Sequence, residues 1–438
     1  MTRFAVIGSG IAGLAAARRL AAHGRVTLFE AADRFGGHTH TVDMTLDGVS
    51  HGVDTGFLVF NEATYPNLTQ LFAELGVETA PSEMSFSVQA KGAGLEWSGC
   101  NLDTVFAQRS NLARPAFWRM LSDLLRFNRL TTALAQDPSA AAAATRLDQP
   151  IGDFLEAHRF SDAFRDLYFL PMIACIWSCP TEQMLRFPMA TLVRFCHNHG
   201  LLQITGRPPW RTVRGGARNY VIRMLESIAD ARLKTPVRRV RRLATGGVEV
   251  STDFGQERFE AVVMACHSDQ SLALLADPSD AERAVLGAIR YHLNRALLHT
   301  DRVALPRRRR AWAAWNYERA PGAGRENDSV CLHYLINRLQ PLPFERPVIV
   351  SLNPLSEPAA GSVHADIAYS HPVFDTAAVQ AQARLPALQG QRDTWFCGAW
   401  TRYGFHEDGL TSGLAVASQI AARPPALQQL SARTEAAA

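Results

Sequence analysis

The sequence predicts an α/β protein in which a doubly wound domain is interrupted by an α+β portion, and three observations predict it. A short apolar run at 4–8, a run rich in Ala and Leu, and a second apolar run at 26–29 follow one another as strand, helix and parallel strand would. From about Asn101 to Gly200 the spacing turns helical, as in Phe117, Leu121, Leu124 and Leu125. A second strand, glycine and helix start returns far along the chain, at 395–420.

Taken in order, Phe4-Ala-Val-Ile-Gly8 reads as a buried strand, Leu14–His23 as a helix, and Val26–Phe29 as a strand ending at Glu30. The alanine tract 140–144 lies between Pro138 and Pro150 and reads as a helix or an exposed connection. Strands are predicted at Arg238–Val240, Val248–Ser251 and Ala261–Ala265, then at Arg295–Thr300, Val330–Asn337 and Val348–Leu352. The Ala- and Gln-rich tail from Pro424 is expected to fray. The doubly wound domain is thus expected to be discontinuous, built from 1–82, 206–285 and 389–425. The second domain takes 83–205, mainly helical, and 286–388, β-rich, with a flexible tail at 426–438.

Composition bounds the function. At 438 residues and about 150 per domain the length alone suggests three domains, which the motif order reduces to two. A net charge of +4 excludes a strongly basic nucleic-acid binder. The seven cysteines (100, 175, 179, 196, 266, 331, 397) form no CxxC pair and fit a reducing compartment. Cys175, Cys179, Cys196, His197 and His199 match no zinc spacing, so no metal is expected. Phe4–Ala17 imitates the apolar part of a signal peptide, but three glycines and a serine cut through it. With no apolar run of about 18 residues, a cytoplasmic protein is expected. Of 45 lysines and arginines only Lys91 and Lys234 are lysines, so a lysine-dependent mechanism has two candidates.

Four motifs carry chemistry. In Gly8-Ser9-Gly10-Ile11-Ala12-Gly13 the first glycine permits a tight turn, the second a close approach to a pyrophosphate, and the third close helix–strand packing. The helix that follows offers free N–H groups and a partial positive charge to a diphosphate. Glu30, beside Ala31 at the end of the second strand, is placed to accept ribose hydroxyls, favouring FAD or NAD over NADP. Arg34-Phe35-Gly36-Gly37-His38 is expected to follow the diphosphate toward a flavin. Val53-Asp54-Thr55-Gly56-Phe57 can bring backbone against a flat ring. Lastly, Gly398-Ala399 and Gly404-Phe405-His406-Glu407-Asp408-Gly409-Leu410 start a helix whose N-terminus could stabilise negative charge on a reduced ring.

With these motifs the chain resembles the flavin-containing amine oxidase superfamily, which also holds phytoene desaturases and protoporphyrinogen oxidases. The likeness runs nearly the full length and includes Val213-Arg214-Gly215-Gly216 and Pro236-Val237. It implies FAD as cofactor, adenine held by the backbone at Val237, and a C-terminal loop at Gly398 and Gly409 reaching the diphosphate and flavin. The family usually carries an acid after the glycine of the C-terminal strand, where this chain has Ala399. Three stretches, Asp54–Glu62, Tyr369–Phe374 and Gly404–Gly409, are similar to a bacterial subgroup associated with cyclopropane-fatty-acyl-phospholipid synthases. That neighbourhood includes a methylated fatty acid desaturase of furan fatty acid synthesis.

The resemblance therefore implies dehydrogenation of a methyl-branched unsaturated acyl chain, a C–H hydride passing to flavin N5 while a base takes a proton. Amine oxidases of the superfamily commonly place a lysine near N5. The corresponding strand here reads Leu293-Asn294-Arg295-Ala296-Leu297, without one. His406, Glu407 and His371 are the titratable candidates, and Arg295 can hold a water or a carboxylate. Glu407 could instead cap the terminal helix, and His371, before a proline, could be a turn residue. Asn61, Glu62 and Tyr65 could shape the substrate channel. Arg307–Arg310 with Trp312 and Trp315, and the arginines of 114–129 with Phe117 and Trp118, suit an anionic bilayer. The expected partners are a lipid or long-chain acyl substrate, an anionic surface of the inner membrane and a lipid methyltransferase. Alternative readings are an amine or small-molecule oxidase, and a flavin-bearing lipid-binding subunit without turnover.

Overall fold

A computed structural model describes residues 1–136, 149–177, 181–198, 208–319 and 330–423. The alanine tract 140–144, Cys179, His199 and the tail from Pro424 lie outside the described residues. The chain divides into two compact units: Met1–Gly37, Val221–Ala288 and the stretch from Ala381 onward form the first, and His38–Tyr220 with Ile289–Gln380 the second.

The first unit is built on a parallel sheet of five strands in the order Thr394–Phe396, Ala261–Met264, Arg3–Ile7, Arg25–Phe29, Asp230–Arg232. Phe4–Ile7 is a central strand with a parallel neighbour on each edge and is buried throughout, which is why it reads as an unbroken apolar run. The first helix, Ile11–Leu20, is alanine-rich and buries Leu14, Ala16, Ala17 and Leu20 completely. It stops three residues before the expected His23. A three-stranded antiparallel meander, Val237–Arg242, Val248–Thr252 and Gly255–Phe259, follows the crossover. The terminal helix, His406–Ala421, completes the unit.

The second unit carries a mixed sheet of seven strands, in the order Val363–Val373, Arg290–His299, Ile349–Leu352, Cys331–Leu335, Trp315–Arg319, Phe86–Ala90, Leu95–Ser98. All pairs are antiparallel except Trp315–Arg319 with Phe86–Ala90. The strand expected at 330–337 ends at Leu335, where the chain turns into the short helix Ile336–Leu339. Helices between 102 and 198 include Pro115–Gln136, whose Phe127 packs with Phe160, Phe164 and Phe169. Among the described residues no helix is long and apolar enough to cross a membrane.

The contact division differs from the expected domain boundaries at residues 38–82 and 206–220, which fall in the second unit, and at 286–288 and 381–388, which fall in the first. Residues 38–82 and 206–220 join the second unit because Thr41–Leu46 and Val49–Asp54 pair as a hairpin within it, and Thr79–Ser82 pairs with Trp210–Val213.

Strand register gives the seven-stranded sheet two unlike faces. One presents Phe86, Val88, Trp97, Trp315, Tyr317, Leu332, Tyr334, Val350, Leu352 and Ala296, and continues to Asn294, Tyr369 and His371. Helices cover this face, with Trp97 against Phe117 and Tyr168. The other presents Ser87, Gln89, Asn316, Glu318, Cys331, His333 and Ser351. The loop at 301–314 covers it, Gln89 donating to the Ala304 carbonyl and the Ala313 N–H to Asn316.

Candidate functional site

In the first unit the glycine turn, the Arg34 loop and Glu30 meet at the start of the first helix. Gly8 lies at φ 104°, a conformation that favours glycine. A Cβ on Gly13 would fall 1.9 Å from the Gly8 carbonyl oxygen, so only glycine lets the helix start this close to the strand. A Cβ on Gly10 would meet nothing within 4 Å, which leaves open space over the turn. No side chain caps that helix, so its first N–H groups can receive an anion. Glu30 accepts from the Ser9 N–H at 3.0 Å, the Ser9 hydroxyl at 2.5 Å and the Ala32 N–H at 2.9 Å. A carboxylate has about four lone-pair sites, so Glu30 keeps capacity for a ribose hydroxyl. Ala31 is exposed beside it.

The Arg34 loop folds onto this turn. Gly36 N–H donates to the Ser9 carbonyl at 3.1 Å, Arg34 Nη1 donates to the Gly37 carbonyl at 2.7 Å, and a Cβ on Gly37 would stand 3.2 Å from Gly10 Cα. The Thr235 N–H bonds the Glu30 carbonyl at 2.9 Å, bringing the following Val237 alongside. Val237 is buried and opens its strand just before a register shift.

The terminal helix brings a second N-terminus to the same place. A Cβ on Gly409 would meet Ile11 Cγ2 at 2.9 Å, and one on Gly413 would lie 2.1 Å from the Ala12 carbonyl oxygen. Gly398 N–H donates to Ser412 Oγ at 2.9 Å, and Ala399 lies against Gly409. Leu410 is buried. His406 starts the helix, and burial pushes its imidazole down to about 3, so it is neutral near pH 7. With so low a value it is a poor proton acceptor and a better neutral hydrogen-bonding group. The helix cap is Asp408, which accepts the Phe405 N–H at 3.0 Å, rather than the expected Glu407. Burial raises the Asp408 carboxyl to about 6.

The second unit gathers the remaining candidates into one polar cluster. The rings of His38 and Tyr369 stack at 5.0 Å, and His371 lies 5.2 Å from His38. The Tyr369 hydroxyl is 2.8 Å from Thr55 Oγ1 and 3.2 Å from His40 Nδ1. Phe57 N–H donates to the His38 carbonyl at 2.9 Å, and a Cβ on Gly56 would fall 2.2 Å from that oxygen. Asn294 Nδ2 stands 2.9 Å from His371 Nδ1. His371 is therefore a strand residue within Val363–Val373 and not a turn residue. Asp54 anchors the loop from below: it accepts from Thr41 Oγ1 at 2.5 Å, Gln340 Nε2 at 2.6 Å and the Ala217 N–H at 2.9 Å. Burial raises its carboxyl to about 7 against these donors.

Arg295 is corrected as a site residue. It lies on the opposite side of its strand from Asn294, 47% exposed, and its guanidinium pairs with Asp366 at 2.8 Å and Glu357 at 2.6 Å. Both carboxylates hold it firmly cationic. Trp312 and Trp315 are only partly exposed. Trp312 packs on Leu305, Leu335 and Ile349, while Trp315 packs edge-on against Tyr334 at 4.9 Å. Sequence reasoning passed over Asn294, His40, Asp54 and Asp408 as functional groups. Asn294 was recoverable only through pairing with Tyr369, because Asn294 and Arg295 are neighbours in sequence and opposites in the sheet.

The open turn, the uncapped helix, Glu30 and the second helix N-terminus fit the diphosphate and ribose of FAD. The family described as flavin containing amine oxidoreductase matches residues 11–330. A carotenoid phi-ring synthase of Streptomyces griseus is 29% identical over 293 residues, covering 62% of this chain and 53% of that protein. The chain thus spans about half the length of the curated relative it matches. A CLA-producing fatty acid isomerase from P. acnes has a similar fold, with TM-score 0.67 and 15% identity over 95% of this chain and 98% of that one. Cyclohexylamine oxidase from Brevibacterium oxydans is comparable, with TM-score 0.66 and 17% identity over 96% and 98%. The chain belongs to the flavin containing amine oxidoreductase family, and its cofactor is FAD.

Proposed function

We propose that this FAD-dependent oxidoreductase dehydrogenates a methyl-branched unsaturated fatty acyl chain, drawn from phospholipid at an anionic membrane surface, on the way to furan or other modified fatty acids. The observation that carries the reading is the helix-covered face of the seven-stranded sheet. It is apolar and aromatic from Phe86 to Ala296, and in the strand where an amine oxidase commonly carries a lysine it presents Asn294. Both lysines of the chain are placed elsewhere: Lys91 pairs with Glu318 at 2.5 Å, and Lys234 sits in a turn with φ 49° whose N–H bonds the Ala32 carbonyl. An apolar face with few polar groups suits an acyl chain better than an ammonium. The Trp315 indole N–H, buried there without a hydrogen-bond partner among the described residues, is a donor for a single acyl oxygen.

Bound FAD supplies a two-electron acceptor. The protein's part is to exclude water along this face and to offer His371, held by Asn294, as the proton acceptor. Glu407, one residue into the terminal helix, is the second candidate. The fold of the P. acnes fatty acid isomerase supports the reading to the extent that the same architecture serves a fatty acid there.

Access from a membrane is supported by a surface of the second unit. Leu102, Leu112, Trp118 and Leu125 are exposed by 79%, 50%, 50% and 50%. The Trp118 indole donates to the Leu112 carbonyl, and its ring lies 5.4 Å from Phe106. Arg109, Arg119, Arg126 and Arg129 lie in the same stretch of chain, Arg109 paired with Asp103 and Arg119 and Arg126 with Asp123, and basic and aromatic residues together suit anionic headgroups. A lipid methyltransferase acting just before this step is the proposed partner, and the cytoplasmic side of the inner membrane the proposed location.

The test is anaerobic mixing of the FAD-loaded protein with phosphatidylglycerol vesicles containing methyl-branched unsaturated chains, with cyclohexylamine as the other arm. Bleaching of the oxidised flavin by the vesicles alone is expected. Bleaching by the amine alone would make the chain an amine oxidase, and vesicle binding without bleaching would make it an accessory subunit. Trp118→Glu and Leu125→Glu together should abolish vesicle co-sedimentation at low salt while leaving FAD content unchanged. Unchanged co-sedimentation would remove the proposed docking surface.

A further inference from the structure

On the polar face of the sheet, Glu318, Cys331 and His333 direct three different donor atoms at one point. His333 Nε2 is 3.0 Å from Glu318 Oε2 and 3.4 Å from Cys331 Sγ, and Sγ is 4.0 Å from that same Oε2. All three residues are buried. One ring nitrogen thus faces both the thiol and the carboxylate, whereas a Cys-His-Glu nucleophile would need them on opposite nitrogens. Tetrahedral zinc with bonds of about 2.0–2.3 Å separates its ligand atoms by roughly 3.3–3.7 Å, so shifts of a few tenths of an ångström complete three corners of such a site.

The surroundings are those of a metal-binding histidine. His333 Nδ1 lies 2.7 Å from Ser351 Oγ, which is in turn 2.7 Å from His299 Nε2, and the Asp301 N–H reaches His299 Nδ1 at 3.1 Å. Since Asp301 donates to His299 Nδ1, His299 carries its proton on Nε2 and donates to Ser351. Ser351 Oγ has a second lone pair to receive the Nδ1 proton of His333, which leaves Nε2 for a cation. Glu318 Oε1 is held by Lys91 Nζ at 2.5 Å, so Oε2 is the ligating oxygen.

We propose that Glu318, Cys331 and His333 form a site for one thiophilic divalent cation, of the zinc class. It lies within the second unit, ties the strands Trp315–Arg319 and Cys331–Leu335 together, and leaves a fourth position for water. As the cation enters, the thiol proton and the proton shared between His333 Nε2 and Glu318 Oε2 leave for solvent, Nδ1 keeps its own, and the three bonds formed are to Sγ, Nε2 and Oε2. A 2+ ion replacing two protons leaves the net charge of the buried cluster unchanged. The motif is silent in sequence because Cys-x-His is too short a signature, and Glu318 joins it only as the cross-strand partner of Cys331.

The experiment treats FAD-loaded full-length protein with a chelator, then titrates it with Co2+ and follows the ligand-field bands to the red of the flavin. One equivalent of cobalt, tetrahedral bands and their displacement by Zn2+ are expected. Cys331→Ser should shift or abolish the bands, and Glu318→Gln should weaken binding at least 10-fold, with FAD content preserved in both. Absence of stoichiometric cobalt or zinc in the wild type, or the same bands in Cys331→Ser, would overturn the site and leave a hydrogen-bonded ion pair.

Discussion

Replacing Gly413 by alanine tests whether the two helix N-termini depend on each other. The added Cβ would sit 2.1 Å from the Ala12 carbonyl oxygen, 2.9 Å from its carbon and 3.1 Å from Ala12 Cα. All three are backbone atoms of the first helix, so no side chain can rotate away. Ordinary contact begins at about 3.4 Å, so the helices must separate by roughly 1 Å. Overpacking of this kind costs about 1–3 kcal/mol. Since Gly413 is one turn from Gly409, the separation opens at the end that faces the glycine turn. FAD binding should weaken by about 10- to 100-fold, at about 1.4 kcal/mol per decade. The assay is fluorescence titration of apo-protein with FAD, alongside circular dichroism to confirm the fold. Ala415→Ser, on the exposed side of the same helix, is the control. FAD affinity in Gly413→Ala within 2-fold of wild type would refute the reasoning.

Two further outcomes follow from buried charge in the first unit. Arg242 and Glu282 are 1% and 4% exposed and paired at 2.5 Å, so Arg242→Ala leaves a buried carboxylate unpaired and should cost about 3–5 kcal/mol in thermal unfolding. Arg242→Met with Glu282→Gln should recover most of that loss, because glutamine at 282 can keep the capping box with Ser279. Asp408 gives a pH signature. Its folded value, raised to about 6 from 3.8, means that between those pH values the folded chain holds a proton that the unfolded chain has lost. Stability from this group is thus full below about 4, falls as pH rises to about 6 and is level above, by at most about 3 kcal/mol. Asp408→Asn keeps an acceptor for the Phe405 N–H and should flatten that slope in melting curves taken between pH 4 and 7. An unchanged slope would assign the titration elsewhere.

The cofactor cradle was legible because its residues are close in sequence and each is dictated by backbone geometry. Gly8 and Gly13 have no substitute at their positions, Glu30 follows its strand directly, and Arg34 bonds a carbonyl three residues away. The second unit was less legible. Its sheet brings Phe86–Ala90 beside Trp315–Arg319 across more than 200 residues, and nothing local records that pairing. The choice between Asn294 and Arg295 shows the difficulty. The charged residue draws the eye, but alternation along the strand sends it to solvent, where two carboxylates hold it. His371 lies in a strand and not in a turn. Its proline neighbour, Pro372, pairs with Tyr291 near the end of a long edge strand, a place where a missing donor is tolerated.

The scarcity of lysine links the two faces of the sheet. A guanidinium cannot lose its proton near neutrality, so a chain with so few lysines leaves acid–base work to carboxyls and imidazoles. On the helix-covered face the proposed proton acceptor is His371, hydrogen-bonded with Asn294, with Tyr369 and His38 beside it. On the polar face Lys91 holds one oxygen of Glu318, and the arrangement frees the other oxygen to face Cys331 and His333. Lys91→Arg separates these roles. Arginine favours a two-pronged contact with both oxygens of a carboxylate, so it should compete for Oε2 and lower cobalt affinity. Anaerobic reduction of the flavin by substrate should continue unchanged, because no group on the helix-covered face has moved.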